Sequence, residues 1–270
     1  MAEPRKYERV ALLAAIEEVS KALDDPVEAF LIGGAAMMVQ GTKVATKDVD
    51  VVLRSNEMMA TLVRSMRGLG YHPKGRLSAE YQALEASAIL ERADGMRFDV
   101  FVTRVCKVVA LTEGMVERAV DYPLQGLLRL RVVRPEDIFI LKSVTERDGD
   151  AEDMVTLARS GLDWEAMATE VRTQPDSWRW LARFYARLSE LEAERELVSP
   201  LTGMFRDDAE IVAGIAVVLP HLDRSRMTLR EVQSLLGEGD NEFPSRVMER
   251  MLELGLARLE EGRYTHAGGR

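Results

Sequence analysis

The stretch FLIGGAAMMVQGTKVATKDVDVVL, residues 30–53, decides the fold of this chain. It predicts a buried strand that ends at Gly33-Gly34, then a short helix, then a second strand that carries Asp48 and Asp50. Strand side chains alternate between faces, so two carboxylates one residue apart point to the same face. A glycine pair directly after a strand lets backbone N–H groups approach a bulky anion. A phosphate cradle that faces a carboxylate pair is what metal-dependent phosphoryl or nucleotidyl transfer requires.

A third acidic residue, Asp99, lies in the second strand of a predicted hairpin. Two apolar runs, residues 82–92 and 96–103, flank an Asp-Gly dipeptide, which is a strong hairpin signal. Asp99 shares a strand face with Arg97, and a carboxylate in an apolar run is costly unless something binds it. If this strand lies beside the strand at 48–53, the three acids converge.

The composition of the candidate site favours a hard divalent cation. The chain contains one cysteine, Cys106, and three scattered histidines, which excludes a cysteine zinc cage and gives little support to a histidine metal site or a Ser-His-Asp triad. We expect Cys106 to be a small core residue. Oxygen ligands alone select Mg²⁺ or Mn²⁺, so Asp48, Asp50 and Asp99 are the candidate metal ligands.

The overall composition is that of a globular protein. The chain has 270 residues, 47% of them hydrophobic and 30% charged, which is enough for two domains. No apolar run approaches the roughly 20 residues that cross a membrane, and the N-terminus lacks a signal-like segment, so we expect a cytoplasmic protein without membrane contact. The net charge of −9 argues against broad nonspecific nucleic-acid binding, but it leaves room for a local basic groove.

The chain order predicts three parts. Residues 1–160 form an α/β (α+β) core with a mixed sheet, residues 161–200 form a helical extension, and residues 205–270 form a small C-terminal domain. The segment 197–203 is the best linker candidate.

The small C-terminal domain has the predicted layout of a winged helix. A capping box at Thr228–Glu231 opens one helix, residues 243–254 form another, and a turn at Glu261-Gly262 divides a two-stranded wing. From residue 224 onwards the chain contains eight arginines and eight acidic residues, so the net charge of the segment is zero. A protein contact or a homo-oligomer contact is therefore at least as well supported as DNA binding.

These motifs together resemble the DNA polymerase β-type nucleotidyltransferase superfamily. The resemblance rests on Gly33-Gly34, a spacer, Asp-x-Asp and a later strand aspartate. The phrase GTKVATKDVDVVL (41–53) is similar to minimal prokaryotic members, which include abortive-infection and toxin–antitoxin enzymes. Residues 134–153 resemble the downstream helix pair of that subset. The resemblance covers about residues 27–160 and says little about the C-terminal third.

The resemblance implies a role for each residue of the motif. Gly33 and Gly34 would cradle the triphosphate of a nucleotide. Asp48, Asp50 and Asp99 would hold Mg²⁺ or Mn²⁺, and Asp99 would also act as the base that prepares the acceptor hydroxyl.

Three further residues would complete nucleotide binding. Lys43 stands where the family often has arginine, so it would contact phosphate as a point charge. Thr46 is the conventional small hydroxyl before the aspartate pair. Lys142 would reach a phosphate, although it could equally pair with Glu146 one helical turn on. The remaining charged residues of this segment would lock the two helices together: Arg147, Asp150 and Asp153.

The sequence therefore predicts transfer of a nucleoside monophosphate from an NTP, ATP among the candidates, to an acceptor hydroxyl on RNA, protein or a small molecule. The resemblance adds a toxin–antitoxin or phage-defence setting. The alternative is an inactive scaffold that acts as a regulator, an antitoxin or a DNA-binding protein through residues 205–270. The intact acid triad counts against that alternative. The base, the acceptor and the oligomeric state stay open.

Overall fold

The structure is a computed structural model, and it describes four stretches of the chain: 6–74, 86–145, 148–237 and 242–268. The chain divides into two compact units, each made of two segments. The first unit comprises Met1–Ser177 and Arg187–Ser199. The second unit comprises Trp178–Ala186 and Pro200–Arg270.

Short strands build the first unit. Among the described residues they are β1 (Tyr7–Glu8), β2 (Val27–Ile32), β3 (Ala45–Thr46), β4 (Val49–Leu53), β5 (His72–Pro73), β6 (Ala88–Glu91), β7 (Arg97–Val102), β8 (Arg104–Val105), β9 (Val109–Ala110), β10 (Val120–Tyr122) and β11 (Leu128–Val132). Seven of them form the main path of one mixed sheet in the order β10-β11-β2-β4-β7-β6-β5, to which β8 and β9 are attached. The predicted mixed-sheet α/β core is confirmed.

Eight helices are described between residues 9 and 195, and the residues of the last one are divided between the two units. They are α1 (Arg9–Ala22), α2 (Gly33–Val39), α3 (Asn56–Gly68), α4 (Glu113–Arg118), α5 (Pro135–Ser143), α6 (Asp148–Arg159), α7 (Trp164–Thr173) and α8 (Leu181–Arg195). Helix α3 begins where Ser55 accepts a hydrogen bond from the backbone N–H of Met58 at 3.3 Å, so Ser55 is its N-cap. None of the described helices combines the length and the apolar character that crossing a membrane requires.

The centre of the sheet carries the predicted strands in the predicted neighbourhood. Strand β4 pairs antiparallel with β2 and parallel with β7, and β6 and β7 form the predicted hairpin. Every residue of β4 is buried, as are all but one of β2 and of β7, which is typical of strands covered on both faces. The buried Cys106 confirms its assignment as a core residue.

Apolar residues at helical spacing predict a helix over residues 7–24, but the first two of these residues form a strand instead. Tyr7 and Glu8 pair antiparallel with Thr46 and Ala45, and the Tyr7 hydroxyl donates to the carbonyl oxygen of Asp94 at 2.9 Å. Helical periodicity extends back to residue 7, but these long-range contacts outweigh it. As a result, α1 begins only at Arg9.

The second unit has its own helices, strands and apolar core. Its elements are α9 (Leu201–Leu222), α10 (Leu229–Leu236), α11 (Glu242–Glu253), β12 (Ala257–Glu260) and β13 (Arg263–His266). The predicted capping box at Thr228 and the predicted hairpin are both present. Backbone hydrogen bonds of 2.9 and 2.7 Å join Met227 to Tyr264, which places an extended residue beside the hairpin.

Helix α9 is longer than predicted. Apolar residues at helical spacing predict a helix over residues 207–219, after a linker at 197–203, whereas the helix begins at Leu201 and ends at Leu222. Leu201 and Phe205 are both fully buried, and Phe205 makes an edge-to-face contact with Phe184 at 5.8 Å. The apolar face of this helix therefore starts inside the predicted linker.

Candidate active site

Three carboxylates meet on one face of the sheet in the first unit. Asp50 of β4 lies directly opposite Asp99 of β7, and Asp48 immediately precedes β4. One carboxylate oxygen from each residue lies within 4.8 Å of the other two. The side chains are almost completely buried, with exposed fractions of 6% for Asp48, 4% for Asp50 and 0% for Asp99. The convergence predicted for neighbouring strands is confirmed.

A buried arginine lies among these carboxylates. Arg97 precedes Asp99 by two residues, so both side chains project from the same face of β7. Its Nε lies 3.0 Å from Oδ1 of Asp99, and its Nη2 forms an ion pair with Oδ2 of Asp48. Strand alternation predicts that Arg97 and Asp99 share one face, but it predicts no functional role for Arg97. The pattern Arg-x-Asp in a buried strand is the signal that could have found it.

The glycine pair packs tightly against this cluster. Gly33 is the first residue of α2 and has a φ of +61°, which favours glycine. A Cβ at Gly33 would lie 2.2 Å from Oδ2 of Asp50, and a Cβ at Gly34 would lie 2.4 Å from Oγ1 of Thr46. Contacts this short would force the side chains of Asp50 and Thr46 to move. Glycine at both positions therefore lets the backbone approach the site.

Two lysines and two aspartates form an ion-pair group beside the glycines. Lys43 Nζ lies 2.6 Å from Asp153, and Lys142 Nζ lies 2.5 Å from Asp150 and 2.8 Å from Asp153. Thr145 donates a further hydrogen bond to Asp150. Burial would lower the pKa of Lys142, but the two aspartates outweigh burial and hold that pKa above its usual value.

The ion-pair group tests the prediction that Asp150 and Asp153 join α5 to α6. Asp150 and Asp153 of α6 bind Lys142 of α5, so the prediction that they lock these helices together is confirmed. The suggested partner Glu146 and the predicted locking residue Arg147 lie outside the described residues.

A cleft of about 400 Å³ gathers most of the predicted site. Six predicted residues line it: Gly34, Lys43, Thr46, Asp48, Asp50 and Lys142. Sequence reasoning missed three charged residues of the wall: Lys6, Lys47 and Glu152. Gly33 and Asp99 are not part of the lining; Gly33 lies against Asp50 and Asp99 beside it on β7.

The donor set of this cluster fits a hard divalent cation. It offers carboxylate oxygens alone, and among the described residues no other group of three potential ligands has this geometry. Oxygen donors of this kind suit Mg²⁺ or Mn²⁺ and do not distinguish between them. Asp48, Asp50 and Asp99 are therefore the residues that could hold a metal.

A half-buried arginine pairs with two buried carboxylates elsewhere in the first unit. Arg118 Nε lies 3.0 Å from Asp137, and its Nη2 lies 2.7 Å from Glu170. Asp137 and Glu170 have exposed fractions of 0% and 4%. Burial raises the pKa of the Asp137 carboxyl despite the opposing effect of Arg118. This cluster joins α4, α5 and α7, and none of its members lines the cleft.

Comparisons with known proteins place the chain among nucleotidyltransferases. Residues 10–183 match the family described as "Nucleotidyltransferase of unknown function (DUF6036)". The solution structure of the antibiotic-resistance factor ANT(2'')-Ia aligns with 15% identity and a TM-score of 0.42, covering 70% of this chain and 99% of that one. The crystal structure of ANT(2'')-Ia in complex with adenylyl-2''-tobramycin aligns with 13% identity and a TM-score of 0.37, covering 61% and 92%. No curated protein matches the chain.

Proposed function

The chain belongs to this nucleotidyltransferase family, and we propose that it transfers a nucleoside monophosphate from an NTP to an acceptor hydroxyl, releasing pyrophosphate. The observation that carries the proposal is the convergence of Asp48, Asp50 and Asp99 within 4.8 Å. Three buried carboxylates repel one another at this separation unless cations balance them. The arrangement therefore supports a site made for cations and for the phosphates that accompany them.

The acid triad would serve metal binding and proton transfer. Asp48, Asp50 and Asp99 would hold Mg²⁺ or Mn²⁺, which when bound supplies neutralisation of the developing phosphate charge. A carboxylate oxygen of Asp99 would take the proton from the acceptor hydroxyl. The acceptor oxygen then forms a bond to the α-phosphorus, and the bond from that phosphorus to the bridging oxygen of the β-phosphate breaks.

The glycines and lysines would bind the triphosphate. The backbone at Gly33 and Gly34 carries no side chain between it and the site, so its N–H groups can approach phosphate oxygens. Lys43 is the more accessible lysine, since 27% of its side chain is exposed against 8% for Lys142. We therefore assign direct phosphate contact to Lys43 before Lys142. Thr46 would take part in nucleotide binding beside Lys43.

The test is transfer of label from nucleotide to acceptor. Purified protein, Mg²⁺ and each α-labelled NTP are incubated with a cell extract, in parallel with the Asp48→Asn and Asp50→Asn variants. We expect label on one class of macromolecule with the wild-type protein and a loss of at least 100-fold in both variants. Asp121→Asn is the matched control, because Asp121 is an exposed carboxylate that pairs with Arg129 at the sheet edge.

Two outcomes would contradict the proposal. Full transfer by Asp50→Asn would show that the triad is not the metal site. Absence of labelling and of nucleotide binding with every NTP would instead favour the inactive scaffold that acts as a regulator.

The acceptor and the biological setting follow from the same experiment. A labelled RNA or protein band would support the toxin–antitoxin or phage-defence setting. Labelling of a small molecule is tested separately with a panel that includes tobramycin, whose adenylyl derivative is bound in one of the aligned structures. Three expectations stay predictions. They are the division into residues 1–160, 161–200 and 205–270, a partner or homo-oligomer contact through residues 205–270, and a cytoplasmic location.

A further inference from the structure

We propose that Arg97 is the internal counter-ion of the acid triad and that it sets the affinity of the triad for divalent cations. Its guanidinium contacts Asp48 and Asp99, two of the three carboxylates proposed to bind metal. Arg97 is thus a positioning residue rather than a catalytic residue. The inference rests on the proposed function, because it assumes that the triad binds a divalent cation.

The geometry makes Arg97 a competitor of a bound cation for the carboxylates of Asp48 and Asp99. Its Nη2 lies against Oδ2 of Asp48 and its Nε lies 3.0 Å from Oδ1 of Asp99. Asp48 precedes β4 and Asp99 belongs to β7, so one planar group joins two segments of the site. A guanidinium is suited to this role because its donors are fixed in one plane and it never loses its charge.

The charge of the site leads to the same conclusion. Three carboxylates and one guanidinium leave a formal charge of −2, which a single divalent cation balances. Without Arg97 the charge would be −3, in surroundings where Asp99 is fully buried and Asp50 is 4% exposed. Buried like charges at this distance are costly, so a divalent cation would bind more tightly to the site without its arginine.

The counter-ion role makes a prediction that a purely structural role does not. If Arg97 only packs β7, its loss destabilises the protein equally with and without metal. If Arg97 balances the triad, its loss is costly without metal and is compensated when Mn²⁺ takes over the balance. The interaction between the variant and the metal, rather than the stability loss itself, separates the two roles.

The chain offers a matched control in Arg118. This arginine also binds two buried carboxylates, Asp137 and Glu170, but it belongs to a cluster with no part in the cleft. Arg97→Met and Arg118→Met therefore each remove a guanidinium from a pair of buried carboxylates, although the Arg118 side chain is more exposed, at 31% against 6% for Arg97. Only Arg97→Met removes it from the proposed metal site.

The experiment measures thermal unfolding in EDTA and across a Mn²⁺ titration, together with Mn²⁺ binding followed by electron paramagnetic resonance, all without nucleotide. We expect Arg97→Met to unfold at a lower temperature than wild type in EDTA and to bind Mn²⁺ at least tenfold more tightly. Its Tm should rise more with Mn²⁺ than the wild-type Tm does. Arg118→Met should lose the same stability at every Mn²⁺ concentration.

Two milder variants keep the test decisive if Arg97→Met does not fold. Arg97→Gln removes the charge with less change in volume, so it should also bind Mn²⁺ more tightly. Arg97→Lys keeps the charge, so its Mn²⁺ affinity should stay within about threefold of wild type. The single ammonium of Arg97→Lys cannot contact both aspartates as a fork does, so its transfer rate should still fall.

The outcomes distinguish this inference from the proposed function. Unchanged Mn²⁺ affinity in Arg97→Met and Arg97→Gln would overturn the counter-ion role. If wild type still responds to Mn²⁺ and Asp50→Asn does not, the proposed metal site stands regardless. If wild type, Arg97→Met and Arg97→Gln all fail to bind Mn²⁺, both the metal site and the counter-ion role are rejected.

Discussion

Gly33 shows at the residue scale why the site tolerates no side chain there. Gly33 and Gly41 both have positive φ, +61° and +83°, so alanine is strained at either position. Only at Gly33 would the added Cβ meet the site, 2.2 Å from Oδ2 of Asp50, whereas at Gly41 nothing lies within 4 Å. We expect Gly41→Ala to lower the free energy of unfolding by about 1–2 kcal/mol and to keep transfer activity.

Gly33→Ala should cost more than Gly41→Ala and should abolish transfer, because Asp50 must move to make room. Urea unfolding gives the stability change, and the labelled-NTP assay gives the activity. Equal effects of the two substitutions on both measurements would show that the close approach at Gly33 has no importance.

Tyr71 gives a pH-dependent prediction. It is fully buried in edge-to-face contact with Phe98, and within the described stretches its hydroxyl has no hydrogen-bond partner. Burial raises the pKa of Tyr71 to about 12, against the opposing charge of Arg92. Between pH 10 and pH 12 the unfolded chain loses this proton while the folded protein keeps it. Tyr71 therefore makes stability fall as pH rises, by up to about 1.4 kcal/mol per pH unit.

The measurement is urea unfolding of wild type and Tyr71→Phe from pH 8 to pH 11. Tyr71→Phe should be close to wild type at pH 8 and should gain on it steadily above pH 10. A difference between the two proteins that does not vary with pH would contradict the assignment.

The residues of the site differ in how far the sequence could predict them. Asp48 and Asp50 share a face by local alternation alone, and Gly33-Gly34 marks a local break, so both were predictable. The contact of Lys43 with Asp153 joins residues 110 positions apart. A sequence pattern carries no information about which of many acids such a lysine meets, because tertiary packing decides it.

At the scale of elements, buried ion pairs between α5 and α6 hold these two helices together. Lys142 of α5 is 8% exposed at its side chain and contacts Asp150 and Asp153 of α6. Removing one partner of a buried ion pair leaves the other charge uncompensated, at a cost of about 3–5 kcal/mol. We expect Lys142→Met to lose stability on this scale, as measured by urea unfolding.

A surface lysine is the control for these buried ion pairs. Lys21 pairs with Glu17 one turn away on α1, and 53% of its side chain is exposed. Lys21→Met should cost less than about 1 kcal/mol. A similar small loss in Lys142→Met would mean that the buried pairs do not hold the helices together.

Local signals predicted the type of most elements, and long-range contacts decided their ends. The Asp-Gly turn correctly predicted the hairpin of β6 and β7. Periodicity predicts a helix at residues 7 and 8, but they form β1. Periodicity is a local signal, so it cannot predict their pairing with β3. Helix α9 begins before its predicted start, because Leu201 and Phe205 are themselves buried.

At the scale of the whole molecule, the two compact units should respond separately to a core defect. Gly214 of α9 lies against Val247 of α11, and an added Cβ would lie 2.6 Å from a methyl group of that valine. Gly203 lies in the same helix with nothing within 4 Å. Gly203→Ala should stabilise the helix by about 1 kcal/mol, whereas Gly214→Ala should destabilise the second unit by about 1–3 kcal/mol.

Hydrogen exchange followed by mass spectrometry measures this region by region. Gly214→Ala should lower amide protection in α9, α11 and the hairpin of β12 and β13, and leave β4 and β7 unchanged. An equal loss of protection in β4 and β7 would show that the two units unfold together.

The pairing of Asp50 with Asp99 on parallel strands sets where the chain can change length during evolution. One residue added between Gly95 and Asp99 would turn Asp99 to the other face of the sheet, because strand side chains alternate. Residues added in the connection between Leu53 and Ala88 would not alter this register, because the pairing of β4 with β7 sets it. Relatives of this protein should therefore carry insertions and deletions in the connection from β4 to β6 and keep the spacing from the hairpin turn to Asp99 constant.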